Sequence, residues 1–94
     1  MLFCFYCTDK PDSLDIRLAN RDAHLKYWAD TGRIRIAGPF TTDDGATMIG
    51  SLLVVEAEDK ATAEALAKDD PYNKAGLFQS VEIRGWKWVI GAPD

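Results

Sequence analysis

The chain contains a single histidine, His24, in the run Arg17-Leu18-Ala19-Asn20-Arg21-Asp22-Ala23-His24-Leu25. Far downstream, Asp69-Asp70-Pro71-Tyr72 presents a carboxylate at a turn whose backbone is constrained by the proline that follows it. An imidazole, with an ordinary pKa of about 6.5, suits proton transfer near neutrality. A carboxylate bonded to one ring nitrogen holds the tautomer and makes the other nitrogen a better base. His24 and Asp70 are therefore the parts of a general acid–base dyad, provided the fold brings them together. Each also has a plainer reading. A histidine at the edge of a helix face can bond a backbone carbonyl, and an aspartate before proline commonly bonds its own backbone two residues on.

Four further residues are candidates for a polar pocket wall. Arg17 and Arg21 could hold an anionic substrate, although helix arginines are ordinarily only solvated. Ser51 follows Gly50 on an apolar run, which would aim its hydroxyl at a pocket. It lacks the strand-to-helix elbow of a nucleophilic serine. Tyr72, beside Asp70, is either a pocket wall or loop packing. Cys4 and Cys7 form C-x-x-C, but within an apparent strand, without a second cysteine pair or a spare histidine to complete a zinc site. They read as two buried, unpaired thiols. Neither a metal nor an organic cofactor is expected.

These residues need a scaffold, and 94 residues supply one domain, 1–94, with a single core. The net charge of -4 argues against a nucleic-acid partner and against a polybasic membrane-surface role. No apolar run reaches the roughly 20 residues that span a bilayer. The apolar start, Met1 to Cys7, has no basic segment before it and is broken by Asp9 and Lys10. It does not read as a signal peptide, and a cytoplasmic location is expected.

The pattern predicts a first strand over 2–8 and a turn at Pro11-Asp12-Ser13 with candidate N-caps. A long helix follows to Thr31, stopped by Gly32. Its apolar stripe is Leu14, Leu18, Leu25 and Trp28, and Arg17, Asn20 or Arg21, His24 and Trp28 lie three or four apart along one edge of it. A second strand over 33–40 places Ile34 and Ile36 on one face and Arg33 and Arg35 on the other. Asp44-Gly45 marks a hairpin turn. A third strand runs from Met48 to Ala57, apolar on both faces. Asp59 caps a short helix, Lys60 to Lys68, which Asp69 or Asp70 ends before Pro71. Residues 72–76 are expected as a loop and 78–90 as a final strand.

The order β-α-β-β-α-β is that of the ferredoxin-like split βαβ, an α+β fold. Right-handed crossovers place both helices on one face of a four-stranded antiparallel sheet, with strands one and three central and strand two at an edge. The other face is left with apolar side chains, which usually marks an interface. A second copy related by a two-fold axis is the economical cover, so a homodimer packed sheet against sheet is expected.

The chain also resembles the YCII-related (YciI-like) family over nearly its whole length. The likeness rests on Arg17-x-x-x-Arg21-x-x-His24-Leu25, Gly32, Ala37-Gly38-Pro39, Gly50-Ser51-Leu52, Glu56, Asp70-Pro71-Tyr72 and Ala75-Gly76-Leu77-Phe78. The resemblance implies a dimeric α+β barrel with His24 and Asp70 as the active-site pair and a serine near Ser51 beside them. A dehalogenase of chlorinated muconolactones and the similar fold of muconolactone isomerase imply proton abstraction, elimination or isomerisation on a small lactone or carboxylate. The alternative is a module that binds a small metabolite or a protein without catalysis. A third possibility, a purely structural dimer, would have a pocket too small for anything but water.

Overall fold

The structure, a computed structural model, describes residues 1–93. Seven elements follow one another: β1 (Leu2–Asp9), α1 (Leu14–Thr31), β2 (Ile34–Thr41), β3 (Met48–Glu56), α2 (Lys60–Lys68), α3 (Pro71–Lys74) and β4 (Phe78–Trp86). The strands form one sheet in the order β2-β3-β1-β4, and every neighbouring pair is antiparallel. This is the ferredoxin-like α+β fold, with the central and edge strands where the hydropathy pattern predicts them.

Alternation divides the sheet cleanly. Phe3, Phe5 and Cys7 of β1 lie opposite Val55, Leu53 and Ser51 of β3, and all six are buried toward the helices. Trp28 of α1 meets Phe5 edge-on at 5.9 Å between centroids, which adds to the burial of both rings. Each large apolar side chain buried in this layer contributes on the order of 1.5–3 kcal/mol. The opposite face carries Leu2, Cys4 and Tyr6 of β1, Leu52 and Val54 of β3, and Trp86 of β4, by the same alternation. No helix covers it. Cys4 lies on this face and is only half-buried, whereas Cys7 is buried, and both are free thiols.

Helix boundaries follow local chemistry. Gly32 takes the left-handed conformation (φ 65°) that ends α1, and Asp59 accepts the Thr62 N–H at the start of α2. Ser13 behaves differently from its expected capping role. Its side chain makes no cap bond; instead its hydroxyl donates to the Pro11 carbonyl at 3.2 Å, across the turn at Asp12 (φ 55°).

Three expectations are corrected. First, the buried face of α1 is Arg17, His24 and Trp28, while Leu14, Leu18 and Leu25 are 39, 56 and 48% exposed. The helix is turned by about one residue, roughly 100°, from the orientation its leucines suggest. Polar partners waiting on the sheet and on α3 account for that rotation, as described below. Second, the pairing of β2 with β3 shifts register between Ile34 and Ile36, so Ile34 faces the helices and Ile36 the uncovered side. The shift brings Ala37 and Pro39 onto the helix side. Third, residues 71–74 form a helical turn rather than a loop, and β4 ends at Trp86 rather than near Ile90. Leu2 pairs with Trp86, and β1 offers no ladder partner beyond it.

Candidate active site

The site is assembled at one end of the α1–α3 contact. Asp70 ends the connection from α2, and Pro71 then opens α3 with φ preset for the helix. In that cap position Asp70 accepts the Tyr72 N–H on Oδ1 at 2.9 Å. The plainer reading of the Asp-Pro turn therefore holds, and it aims the same carboxylate across at α1. Trp28 Nε1 donates to Oδ2 at 2.9 Å, and His24 Nδ1 lies 2.7 Å from Oδ1. Asp70 is 1% exposed and His24 7%. With Asp70 acting as acceptor from three sides, Nδ1 is the nitrogen that carries the proton. The lone pair of the neutral ring then lies on Nε2.

A stack holds the imidazole from its flank. The Tyr72 ring lies against His24 at 3.9 Å between centroids and 13° from parallel. The Arg17 guanidinium packs over Tyr72, 4.8 Å from that ring's centroid. Arg17 itself is pinned. Its Nε and Nη2 donate to the two Asp9 carboxylate oxygens at 2.8 and 2.9 Å, and Nη2 also donates to Ser51 Oγ at 2.9 Å. With the side chains of Arg17 and Asp9 only 3 and 6% exposed, this is a buried, bidentate ion pair. Burial works against the charge on Arg17, but the bonds and charge of Asp9 more than offset it and raise its pKa. Burial raises the Tyr72 phenol, against the opposing pull of Arg17 and Arg21. Beneath the site, burial pushes the Cys7 thiol up to about 12, helped by the nearby Asp70 and Asp9 charges. Burial thus favours the neutral thiol of Cys7, which lines neither cavity.

These groups line a cavity of about 230 Å³ between α1 and the β2–β3 edge of the sheet. Arg17, Arg21, His24, Ser51 and Tyr72 all reach its wall, and Asp70 stands behind His24. The six residues singled out from the sequence are therefore brought together, in unequal positions. Five are buried; Arg21 is exposed at the rim. The cavity far exceeds the roughly 30 Å³ occupied by one water molecule. Among the described residues no cluster of three or more histidine, cysteine, aspartate or glutamate side chains is placed to hold a metal ion.

Two contributors carry no mark in the sequence as site residues. Trp28 reads as a core aromatic, although a buried indole N–H needs an acceptor, and that requirement was the available signal. Asp9 is a lone acid at a strand end, and nothing in its neighbourhood in the sequence points to Arg17.

The four-stranded antiparallel sheet in the order β2-β3-β1-β4, with the His24–Asp70 contact beneath its first helix, places the chain among ferredoxin-like α+β proteins. Comparison with known proteins narrows that class: the YCII-related domain matches residues 1–87, and the chain belongs to that family. It is 39% identical to protein YciI of Escherichia coli O6:H1 over 98 aligned positions, covering 96% of this chain and all of the relative. An uncharacterized Haemophilus influenzae protein is 31% identical over the same coverage. Among solved structures it is similar to 5-chloro-2-hydroxyhydroquinone dehydrochlorinase, TftG, of Burkholderia phenoliruptrix AC1100, in complex with 2,5-dihydroxybenzoquinone. The TM-score is 0.83 at 38% identity, over 93% of this chain and 94% of that one. An antibiotic biosynthesis monooxygenase shares the fold alone, with a TM-score of 0.58 at 14% identity over 95% of this chain and 99% of the other.

Proposed function

We propose that this protein is a cofactor-independent acid–base catalyst of elimination or isomerisation on a small lactone, carboxylate or hydroxyquinone-like substrate. The observation that carries this reading is the 2.7 Å contact between His24 Nδ1 and a buried Asp70 already bonded by Trp28 and Tyr72. That contact fixes the imidazole in orientation and tautomer before any substrate enters. His24 Nε2 takes a proton from a carbon made acidic by a neighbouring carbonyl. In elimination from a lactone or carboxylate, the C–H electron pair becomes a new C=C bond and the leaving group departs from the adjacent carbon with its own bonding pair. From the keto tautomer of a chlorinated hydroxyhydroquinone, Nε2 instead takes the proton of a conjugated hydroxyl, whose O–H pair becomes C=O as the ring double bond shifts and chloride leaves its sp3 carbon. In isomerisation, the C–H pair is held as an enolate and the imidazolium returns the proton to a different carbon. Asp70 balances the imidazolium charge in both cases.

The other residues take supporting roles. Arg17, consumed by Asp9 and Ser51, positions Tyr72 against His24 rather than gripping substrate. Arg21, Ser51 and Tyr72 form the polar wall. The similar dehydrochlorinase supports elimination as the reaction class, since its name describes loss of a proton and a chloride. Among the described residues no helix is long and apolar enough to cross a membrane. As part of the same proposal, the protein works in the cytoplasm as a homodimer joined through the uncovered sheet face.

The direct test is chloride release from 5-chloro-2-hydroxyhydroquinone and from chlorinated lactones. Turnover is expected to fall by roughly 10²–10⁴ in His24→Ala, the range spanned by positioned acid–base groups, with folding and assembly unchanged. Turnover that survives the substitution refutes His24 as the base. Binding without turnover by the unaltered protein throughout the panel favours a ligand-binding module instead.

A further inference from the structure

A second cavity, carrying fewer polar groups, adjoins the one beside His24. The first brings Arg17, Arg21, Ser51 and Tyr72 to one side of a wall otherwise made of residues such as Leu25, Met48 and Leu53, and it is called the polar chamber for those groups. The second, about 350 Å³, is lined by Trp28, Ala29, Gly32 and Ile34 and shares His24, Leu25, Ala37 and Leu53 with the first. His24 thus stands at the junction. No acidic side chain lines either chamber, although the chain carries a net charge of -4.

The polar chamber has capacity left for an anion. Arg17 is spent on Asp9, but Arg21, one helical turn further on, forms no ion pair among the described residues. Ser51 Oγ accepts from Arg17, which leaves its own proton to donate, and no acceptor takes it among the described residues. A guanidinium and a hydroxyl proton are the donors that a carboxylate or phenolate oxygen requires. The apolar chamber offers small side chains at Ala29 and Gly32 and flat or branched walls at Trp28 and Ile34. Its volume is roughly twice the ~150 Å³ that accommodates a benzene ring. Apart from His24 at its boundary, it contains no charge to repel such a ring.

From this arrangement we infer that the site selects a small amphiphilic anion. An ionised oxygen is held by Arg21 and Ser51, a compact apolar body or ring lies against Trp28 and Ile34, and the reacting carbon between them meets His24. The inference rests on the proposed acid–base reading for its last element only. Arg21 is its specificity-determining residue, and Ala29, exposed at the rim of the apolar chamber, is where a larger side chain would obstruct its mouth.

The test compares three probes on the full chain by calorimetry and by the imidazole NMR signal of its single histidine. Phenylacetate carries both features, acetate only the charge, and 2-phenylacetamide only the ring. Phenylacetate is expected to bind at least about ten-fold more tightly than either. Arg21→Gln is expected to erase its advantage over the amide, and Ala29→Phe its advantage over acetate. The first variant should leave amide binding unchanged, and the second acetate binding. Equal binding of acid and amide by the unaltered protein overturns the anion subsite; equal binding of phenylacetate and acetate overturns the apolar one. No binding of phenylacetate overturns both. These ratios do not depend on turnover, so a failure of His24 as a base, read from chloride release, is distinguishable from a failure of the substrate class.

Discussion

Asp70 is the residue on which the site turns, because two backbone facts and two side chains meet on one carboxylate. Pro71 and the Tyr72 N–H hold it in place, and His24 and Trp28 use what remains of its acceptor capacity. Trp28→Phe tests how much the indole N–H matters. The six-membered ring would keep its packing against Phe5, while Oδ2 of a carboxylate 1% exposed would lose its donor. Leaving a buried acceptor unsatisfied costs about 1–3 kcal/mol, and toward the upper end when the group is charged. Denaturant unfolding should show that loss. The ¹⁵N spectrum of His24 should show a smaller fraction of the Nδ1–H tautomer, since the freed oxygen lets the carboxylate turn. An unchanged tautomer with unchanged stability would mean that Trp28 serves only as core.

At the scale of elements, the sheet and helices are positioned by close approaches that leave little tolerance. Gly50 precedes Ser51 on β3, and a Cβ added there would stand 2.4 Å from the Cys7 carbonyl oxygen of β1. That neighbour is backbone, so it cannot rotate away. Gly50→Ala is therefore expected to push β3 from β1, lose roughly 1–3 kcal/mol or more, and displace Ser51 from Arg17. Thermal unfolding would register the first effect, and weaker binding of an anionic probe the second. Native stability and binding would show that the sheet absorbs the methyl group. The first three strands and the two longer helices were legible in the sequence, because Gly32, Asp59 and Asp44-Gly45 are local signals acting on local backbone, whereas the α3 turn and the end of β4 were not. Nor was the rotation of α1. Its leucines describe a stripe through positions 14, 18 and 25, whereas the orientation is decided by Arg17 reaching Asp9 and His24 reaching Asp70, partners 8 and 46 residues away in the chain. The register shift in β2 was equally silent. No glycine or proline lies between Ile34 and Ile36, and Arg35 gives no sign that its neighbours face opposite ways.

At the scale of the molecule, the same alternation that built the core leaves a problem on the far side of the sheet. Leu2, Cys4, Leu52 and Phe40 are only half-buried there, and Tyr6, Ile36 and Trp86 are 51, 41 and 37% exposed. A face of four strands and eight residues presents roughly 500 Å² in projection from strand spacing and rise. A standard interface buries roughly 800 Å² per partner, so a face of this extent supplies a large share of one. Both central strands lie within it, so a two-fold axis through the face would pair like with like and leave no open end. The exposed leucines of α1 offer a rival surface, and the two can be separated. Tyr6→Glu and Ile36→Arg place charge on the sheet face without touching the core; Leu18→Arg does the same on the outer helix face. Light scattering at micromolar concentration is expected to give a dimer for the unaltered protein and for Leu18→Arg. It should give a monomer for each sheet-face variant, with the circular dichroism of a folded chain in all four. A monomeric unaltered protein, or a dimer broken by Leu18→Arg alone, would overturn the sheet-to-sheet arrangement. The second result would move the interface to the helix layer, beside the mouth of the cavity where Leu25 already stands.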